Sequence, residues 1–360
     1  MTERARLRDL GIHIGNLPTG PNNAITDVPG VLVGQVTVNL ESPAVHTGIT
    51  VIVPRQGAIG EDYAFAGFHR FNGCGEFTGI HWLEETGLLT SAIALTNTHQ
   101  LGMVRDALAE FSFRRSEYGP FYLPVVGETY DGWLNDVSAD GLSKEHVFEA
   151  MLSAKDGQVP EGNVGGGTGM ICYDFKGGTG TASRRVNLKF GEYTVGVLVQ
   201  ANHGDRQQLR VDGVPVGREI GLDQVPSPWA SPPPSSSIII VVATDAPLLP
   251  QQCQRLAQRA TVGLGRTGGV GQNSSGDLFL AFATGQHIPA GAKEPFQLGV
   301  MIPPNHLNLF FEAVAEAVEE AILNALTSAE TMRGYLEHTA QALPLNELLH
   351  VMTTYNRGPK

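Results

Sequence analysis

The sequence lacks the features that mark disulfide-rich, metal-stabilised and nucleic-acid-binding proteins. Its 360 residues include only three cysteines, Cys74, Cys172 and Cys253, which are far apart and form no CxxC pattern. We therefore predict neither a disulfide framework nor a structural metal site. Lysine and arginine number 24 against 36 aspartates and glutamates, so the net charge is −12. Because binding to a phosphate backbone needs clustered basic residues, we expect no nucleic-acid partner.

Long apolar runs and a high density of charge are missing as well. No segment approaches the roughly 18–20 consecutive apolar residues of a membrane span, and no apolar run typical of a signal peptide follows the charged first ten residues. Charged residues make up 17% of the chain and hydrophobic residues 42%, a balance that disfavours disorder. We therefore expect a folded cytoplasmic protein with a large core and no membrane partner.

The hydrophobic pattern predicts buried strands and amphipathic helices within a single domain, residues 1–360. Short β-branched runs between turn residues are typical of strands, whereas apolar residues spaced three to four apart are typical of helices. The patterns predict strands at residues 31–38, 48–53, 92–95, 123–127, 193–200, 238–242 and 278–284, and helices at residues 101–114, 144–154, 248–264, 309–326 and 343–352. This mixture predicts an α+β fold in which helices cover sheet layers.

Residues 225–245 carry the most unusual pattern of the chain. Five prolines within residues 225–234 exclude a regular helix or strand, and three serines then lead into the buried strand at residues 238–242. One interpretation is a surface linker, which is the common role of segments rich in proline and serine. The other is that one of these serines starts the strand as the first residue of a second polypeptide, made by self-cleavage, and is the nucleophile.

Polar side chains stand where two of the predicted strands end. Glu128 and Tyr130 follow one strand, and Asn202 follows another. Strand ends often hold binding and catalytic groups, although they are also where the core stops and turns begin. The glycine-rich residues 161–184 lack the spacing and the following helix of a phosphate-binding loop. We therefore expect close backbone packing there rather than nucleotide binding.

A set of ordered motifs extends over essentially the whole chain. The motifs are residues 23–28 (NAITDV), 72–76 (NGCGE), 96–99 (TNTH), 128–132 (ETYDG), 163–169 (NVGGGTG), 175–178 (FKGG), 237–248 (SIIIVVATDAPL) and 273–277 (NSSGD). Together they resemble the self-processing L-aminopeptidase/D-amidase/D-esterase (DmpA-like) family, which includes the β-peptidyl aminopeptidases. The resemblance implies an αββα sandwich like that of N-terminal-nucleophile hydrolases. It also implies cleavage into an α chain, residues 1–236, and a β chain, residues 237–360, a homo-oligomer (tetramer or octamer), and no metal or organic cofactor.

The same motifs imply roles for three residues around the cleavage point. Ser237 resembles the family's nucleophile, and Ser275 resembles its second serine. Asp277 takes the place of an acidic partner that is Glu in other members. Ser236, the residue before the cleavage point, also differs from the Gly or Asn that is typical of the family.

Three further residues resemble groups that contact the substrate. Tyr130 and Asn202 resemble the residues on the oxyanion side, and Glu128 resembles the carboxylate that holds the free amino group. The chemistry agrees with these roles, because an α-amine with a pKa of about 7.7–8.0 provides a terminal serine with its own base. One positioned oxyanion donor contributes roughly 3–4 kcal/mol, and a desolvated amine without its carboxylate is costly.

Two other functions fit part of the pattern. An acyltransferase of the ornithine-acetyltransferase kind also uses a nucleophile at a new N-terminus, but it is normally Thr, whereas this sequence has Ser237. An unprocessed binding protein without catalysis is the second alternative. The sequence favours a serine aminopeptidase or amidase that releases N-terminal residues from peptides, amides or esters with a free amino group. Whether it prefers L-, D- or β-amino acids stays open.

Overall fold

The computed structural model describes residues 4–57, 59–115, 122–229 and 236–359. The proline-rich stretch falls within these ranges only as far as Trp229, where the chain is irregular, and the rest of the stretch lies outside the described residues. In the described part of the chain, no helix is both long enough and apolar enough to cross a membrane.

The described residues include all the predicted strands and helices in the predicted order, together with further elements that were not predicted. The strands are β1 (Leu32–Glu41), β2 (Ala44–Val53), β3 (Asp62–Gly73), β4 (Leu88–Leu89), β5 (Ile93–Asn97), β6 (Val125–Thr129), β7 (Ile171–Cys172), β8 (Phe175–Lys176), β9 (Gly178–Leu188), β10 (Gly191–Asn202), β11 (Ser236–Thr244), β12 (Ser275–Pro289), β13 (Met332–Arg333) and β14 (Thr339–Ala340). The helices are α1 (Ile80–Thr86), α2 (Leu101–Arg114), α3 (Lys144–Leu152), α4 (Val216–Glu219), α5 (Pro250–Thr267), α6 (Leu307–Ser328) and α7 (Leu345–Thr354).

The smaller of the two main sheets has four strands in the order β1-β2-β5-β6. Its neighbours are antiparallel except for β5 and β6, which are parallel. Helices α2 and α3 cover the outer face, where Val104, Leu108 and Val147 are buried together with Val51 and Val126 of the sheet. The outer helices therefore remove one face of this sheet from water.

Among the described residues, the larger sheet has six strands in the order β4-β3-β12-β11-β10-β9, and only β11 and β12 run parallel within it. Side chains alternate along β11, as they do in any strand. Ile238 and Ile240 pack with α5 and α6 on the outer face, whereas Ile239 and Val241 pack against the smaller sheet. Burial on both faces explains the continuous β-branched run in the sequence. The four layers are helix, sheet, sheet and helix, so the predicted αββα sandwich is confirmed.

Two long strands contain glycines, and the sequence-based reading predicted no strand at either place. The close backbone packing predicted for the glycine-rich residues 161–184 explains β9, and the same kind of packing, not predicted there, explains β3. A Cβ atom at Gly180 of β9 would lie 1.9 Å from the carbonyl oxygen of Ala321 in α6, and one at Gly67 of β3 would lie 2.2 Å from the backbone nitrogen of Gln254 in α5. Because glycine has a low strand propensity, its packing role obscures the strand in the sequence.

Candidate active site

Ser237 lies at the start of β11, in the middle of the larger sheet. Its register partners are Asn202 on β10 and Gly276 on β12. Ser237 is 2% exposed, and its Oγ donates to the carbonyl oxygen of Ser236 at 2.6 Å. Ser237 Oγ also accepts a hydrogen bond from the Gly276 N–H at 3.3 Å. The side chain shares a face with Ile239, towards the smaller sheet. The predicted nucleophile is thus within hydrogen-bond distance of the carbonyl group at the predicted cleavage point.

Ser275 and Asp277 lie on β12 and face the opposite side of the larger sheet. Ser275 Oγ donates to Asp277 Oδ1 at 2.6 Å, and both residues are buried. Burial raises the pKa of Asp277 to about 6, while the hydrogen bond from Ser275 opposes that shift. The Oγ atoms of Ser275 and Ser236 are 3.3 Å apart. In the uncleaved chain the pair therefore contacts the residue before the cleavage point, and not the Ser237 hydroxyl.

Glu128 lies near the end of β6 in the smaller sheet and is 3% exposed. Its Oε1 accepts the backbone N–H of Glu76 at 2.8 Å, and its Oε2 accepts the hydroxyl of Thr98. Burial raises the pKa of Glu128, and the two hydrogen bonds act in the opposite direction. The carboxylate is thus fixed in position by two donors, yet neither donor carries a positive charge to neutralise it.

The loop after β3 lies between Glu128 on β6 and Gly276, the register partner of Ser237 on β12. A Cβ atom at Gly75 would lie 3.1 Å from Glu128 Oε1 and 3.2 Å from the Cα of Gly276. The backbone N–H of Gly276 in turn binds Ser237 Oγ. Glu128 Oε1 therefore lies close to the Gly276 main chain that binds Ser237 Oγ, with Gly75 between them.

Tyr130 and Asn202 contact each other through the main chain of Tyr130. Asn202 Nδ2 donates to the carbonyl oxygen of Tyr130 at 2.9 Å, and its Oδ1 accepts the N–H of Ile171 at 2.8 Å. One of the two amide hydrogens of Asn202 is thus used within the protein. The ring of Tyr130 is 6.0 Å from the ring of His99. Burial raises the pKa of Tyr130, and the charge of Asp131 adds to the shift, so its hydroxyl remains a donor.

Two residues near the site were not singled out from the sequence. Thr98 holds Glu128, and it lies in the TNTH motif directly after a predicted strand, which is the signal that reasoning from strand ends could have used. Lys176 is fully buried and donates from Nζ to the carbonyl oxygens of Met170 at 2.7 Å and Gly177 at 2.9 Å. Burial lowers the pKa of Lys176 to about 7. Its contacts link two parts of the glycine-rich segment to each other.

Comparisons with known proteins assign this arrangement to a described group. A model of peptidase family S58 matches residues 23–340. The chain is 44% identical to the β-peptidyl aminopeptidase BapA of Sphingosinicella microcystinivorans over 373 aligned positions, which cover 99% of this chain and 93% of that protein.

Two solved structures share the whole fold. The β-aminopeptidase of a Burkholderia species superposes with a TM-score of 0.91 at 50% identity, covering 97% of this chain and 99% of that one. The L-aminopeptidase D-Ala-esterase/amidase of Ochrobactrum anthropi also superposes with a TM-score of 0.91, at 42% identity over 98% of this chain and 99% of the other. The latter is described as a new variant among the Ntn hydrolase fold. The predicted likeness to N-terminal-nucleophile hydrolases is confirmed.

Proposed function

The chain belongs to peptidase family S58 and is a hydrolase with a variant of the Ntn-hydrolase fold, and from that premise we propose that it is a self-processing serine aminopeptidase. The precursor is cleaved between Ser236 and Ser237 into an α chain, residues 1–236, and a β chain, residues 237–360. The observation that carries this proposal is the 2.6 Å distance between Ser237 Oγ and the carbonyl oxygen of Ser236. The attacking group and the bond to be broken are already neighbours in the folded precursor.

Self-cleavage proceeds through an ester. Ser237 Oγ attacks the carbonyl carbon of Ser236, the C–N bond between the two residues breaks, and the hydroxyl proton ends on the nitrogen, which becomes an amine. Water then hydrolyses the ester, which leaves a carboxylate on Ser236 and restores the Ser237 hydroxyl. The reaction converts an amide nitrogen, which is not a base, into an α-amine with a pKa of about 7.7–8.0. Cleavage thereby supplies the base that the mature nucleophile needs.

The new amine is formed next to the Ser275 and Asp277 pair. Ser237 pairs with Gly276, which stands between these two residues on β12. In the precursor, Ser275 contacts the Ser236 hydroxyl. After cleavage, departure of Ser236 leaves Ser275 to hold the α-amine and Asp277 to balance its charge when it takes up the nucleophile's proton. During substrate hydrolysis, the remaining hydrogen of Asn202 and the Tyr130 hydroxyl stabilise the oxyanion.

Glu128 selects substrates that have a free amino group. Its carboxylate is buried and lacks a cationic partner among the contacts described above, so a substrate ammonium group supplies the opposite charge. The substrates are therefore peptides, amides or esters with a free N-terminus. Because relatives of this chain are named for β-peptides, β-aminoacyl amides belong in the first assay beside their L- and D-α counterparts.

Two further properties complete the proposal. All three cysteines are unpaired, which supports a reducing, cytoplasmic location. The protein also forms a homo-oligomer, a tetramer or an octamer, in which contacts between subunits cover the exposed apolar side chains of Phe296, Leu298, Val300 and Met301. Light scattering of the purified protein measures the mass of the assembly, and a monomer at working concentration would exclude this part.

A denaturing gel with N-terminal sequencing tests the processing. The proposal expects two bands of about 25 and 13 kDa, both within the size range of single domains, with the smaller beginning at Ser237. The Ser237→Ala variant should remain a single chain of 38.4 kDa and should hydrolyse no amide. Ser274→Ala, which removes a neighbouring exposed hydroxyl, is the matched control and should be processed as the wild type is. Normal two-chain processing of Ser237→Ala would exclude Ser237 as the nucleophile.

A further inference from the structure

The residue before the cleavage point is held at three of its groups. The Ser236 N–H donates to the carbonyl oxygen of Ser274 at 3.4 Å, and the Ser236 carbonyl oxygen accepts from Ser237 Oγ at 2.6 Å. The third group is the Ser236 hydroxyl, which lies 3.3 Å from Ser275 Oγ. Ser236 is only 4% exposed, so these contacts are sheltered from competing water.

The Ser236 hydroxyl is the acceptor in its contact with Ser275, whose Oγ donates to it at 3.3 Å. The single hydroxyl proton of Ser275 is shared with Asp277 Oδ1, which lies closer, at 2.6 Å. Ser275 therefore bridges the Ser236 hydroxyl and the Asp277 carboxylate. A chain of hydrogen bonds runs from Ser236 through Ser275 to the carboxylate of Asp277, on the face of the sheet opposite to the Ser237 side chain.

Ser236 needs such a hold because it is the first residue of β11. Terminal residues of strands fray more readily than central ones. Fraying would move the carbonyl of Ser236 away from Ser237 Oγ, and a misplacement of about 1 Å in the reacting atoms costs on the order of a hundredfold in rate. A side-chain contact on the far face keeps the carbonyl in place without occupying the space from which Ser237 attacks.

We propose that the Ser236 hydroxyl is a positioning group for self-cleavage, which holds the carbonyl of its own residue in reach of Ser237 by hydrogen bonding to the Ser275–Asp277 pair. The inference rests on the proposed function and deepens it, because it assigns a role to a side chain that the cleavage reaction itself does not use. The hydroxyl takes no part in the bond changes. The hydroxyl affects only the rate of self-cleavage.

Three substitutions at one position test the role of the hydroxyl. Ser236→Ala removes it, whereas Ser236→Thr keeps it. Ser236→Val has the shape of Thr without the hydroxyl, so the comparison of Thr with Val is independent of side-chain size. A small cavity of about 10 Å³ borders Ser236 and is lined also by His203 and Gly271. Precursors are produced by cell-free translation, and the fraction cleaved is followed over time on denaturing gels.

We expect the rate of self-cleavage to depend on whether residue 236 has a hydroxyl group. Ser236→Ala and Ser236→Val should be cleaved about tenfold more slowly than wild type, which corresponds to one positioned hydrogen bond, and Ser236→Thr should stay within about threefold of wild type. Thermal unfolding of the variants in the uncleavable Ser237→Ala background checks that all are folded. Equal cleavage rates for Thr and Val, or wild-type rates for Ala, would overturn the inference while leaving the proposed function intact. A wild-type precursor that is never cleaved would overturn the proposed self-processing as well.

A double-mutant cycle tests the partner of the hydroxyl. If Ser236 acts through Ser275, then Ser236→Ala should slow cleavage less in the Ser275→Ala background than in the wild type. Ser274→Ala is the matched control, since it removes an exposed hydroxyl adjacent in sequence, and it should leave the effect of Ser236→Ala unchanged. Additive effects of Ser236→Ala and Ser275→Ala would mean that the two hydroxyls act separately, and the inference would be wrong.

Discussion

Replacement of Glu128 by Gln removes the negative charge of the side chain and keeps its shape. Glu128 is held by the N–H of Glu76 and the hydroxyl of Thr98. A glutamine carbonyl oxygen accepts the same N–H, and the Thr98 hydroxyl accepts from the new amide group in place of donating to the carboxylate. The substitution therefore preserves packing and both contacts, and it removes one negative charge from a site that is 3% exposed.

The expected loss follows from that burial. When one partner of a desolvated ion pair is removed, the cost is typically about 3–5 kcal/mol, which is on the order of a hundredfold or more in kcat/KM. The loss should appear with substrates that have a free amino group. Esters whose amino group is acylated have no charge to pair, so their slow background hydrolysis should change little.

The assay compares an aminoacyl p-nitroanilide with its N-acetylated form in both proteins. Glu76→Gln is the matched control, because it makes the same chemical change on an exposed carboxylate beside the site, and it should retain most of the activity. Since burial raises the pKa of Glu128, KM for the free amine should rise as the pH falls through that pKa. Equal rates for the two substrate forms in the wild-type enzyme would refute both the role of Glu128 and the aminopeptidase assignment.

Three further outcomes are expected. Ser275→Ala and Asp277→Asn should each lower kcat by more than they raise KM, as groups that act in the transition state do, and wild-type turnover in either processed variant would exclude the proposed action of that residue on the α-amine. Asp277 has a folded pKa of about 6 against an unfolded value of about 3.9, so the stability that comes from its protonated form is fully present below the lower value and is lost as the pH rises through the higher one. Urea denaturation compares the free energies of unfolding of the protein with Asp277 and of its Asp277→Asn variant, both in the uncleaved Ser237→Ala background. The difference should therefore shift in favour of the variant by up to about 3 kcal/mol between pH 4 and pH 8. A difference independent of pH would contradict the raised pKa. Gly180→Ala should lower the free energy of unfolding by roughly 1–3 kcal/mol or more through overpacking, whereas Gly102→Ala, in open space on α2, should be neutral or stabilising, and equal unfolding midpoints for the two would refute the packing argument.

Much of the fold was predictable because it depends on neighbours in the sequence. The β-branched run at residues 238–242 predicts a strand buried on both faces, and β11 is one. The apolar spacing of residues 101–114 predicts the helix α2 with the same bounds. The glycines of β3 and β9 obscured two strands, since their reason for being there is a helix that packs on them from elsewhere in the chain.

The family, the layered α+β fold and the candidate residues could all be inferred from the sequence, because these follow from local periodicity and from ordered motifs. Which faces those residues share depends on how the strands pack together. The tertiary structure places Ser237 and the Ser275–Asp277 pair on opposite faces of one sheet, so that the contact made before cleavage is with Ser236. The reason is the register of β11 against β12, since a shift by one residue would reverse every facing and no local pattern specifies it.

The pairing of buried charged side chains also depends on the tertiary structure. The helix at residues 309–326 was predictable, but nothing in its spacing showed that Glu316 and Glu320 are buried. Arg184 of β9 reaches them at 2.9 and 2.7 Å, and all three side chains are almost completely inaccessible to water. These partners are 132 and 136 residues apart in the chain. A buried charge is tolerated only when its partner is present, and the packing of α6 on β9 alone brings that partner to it.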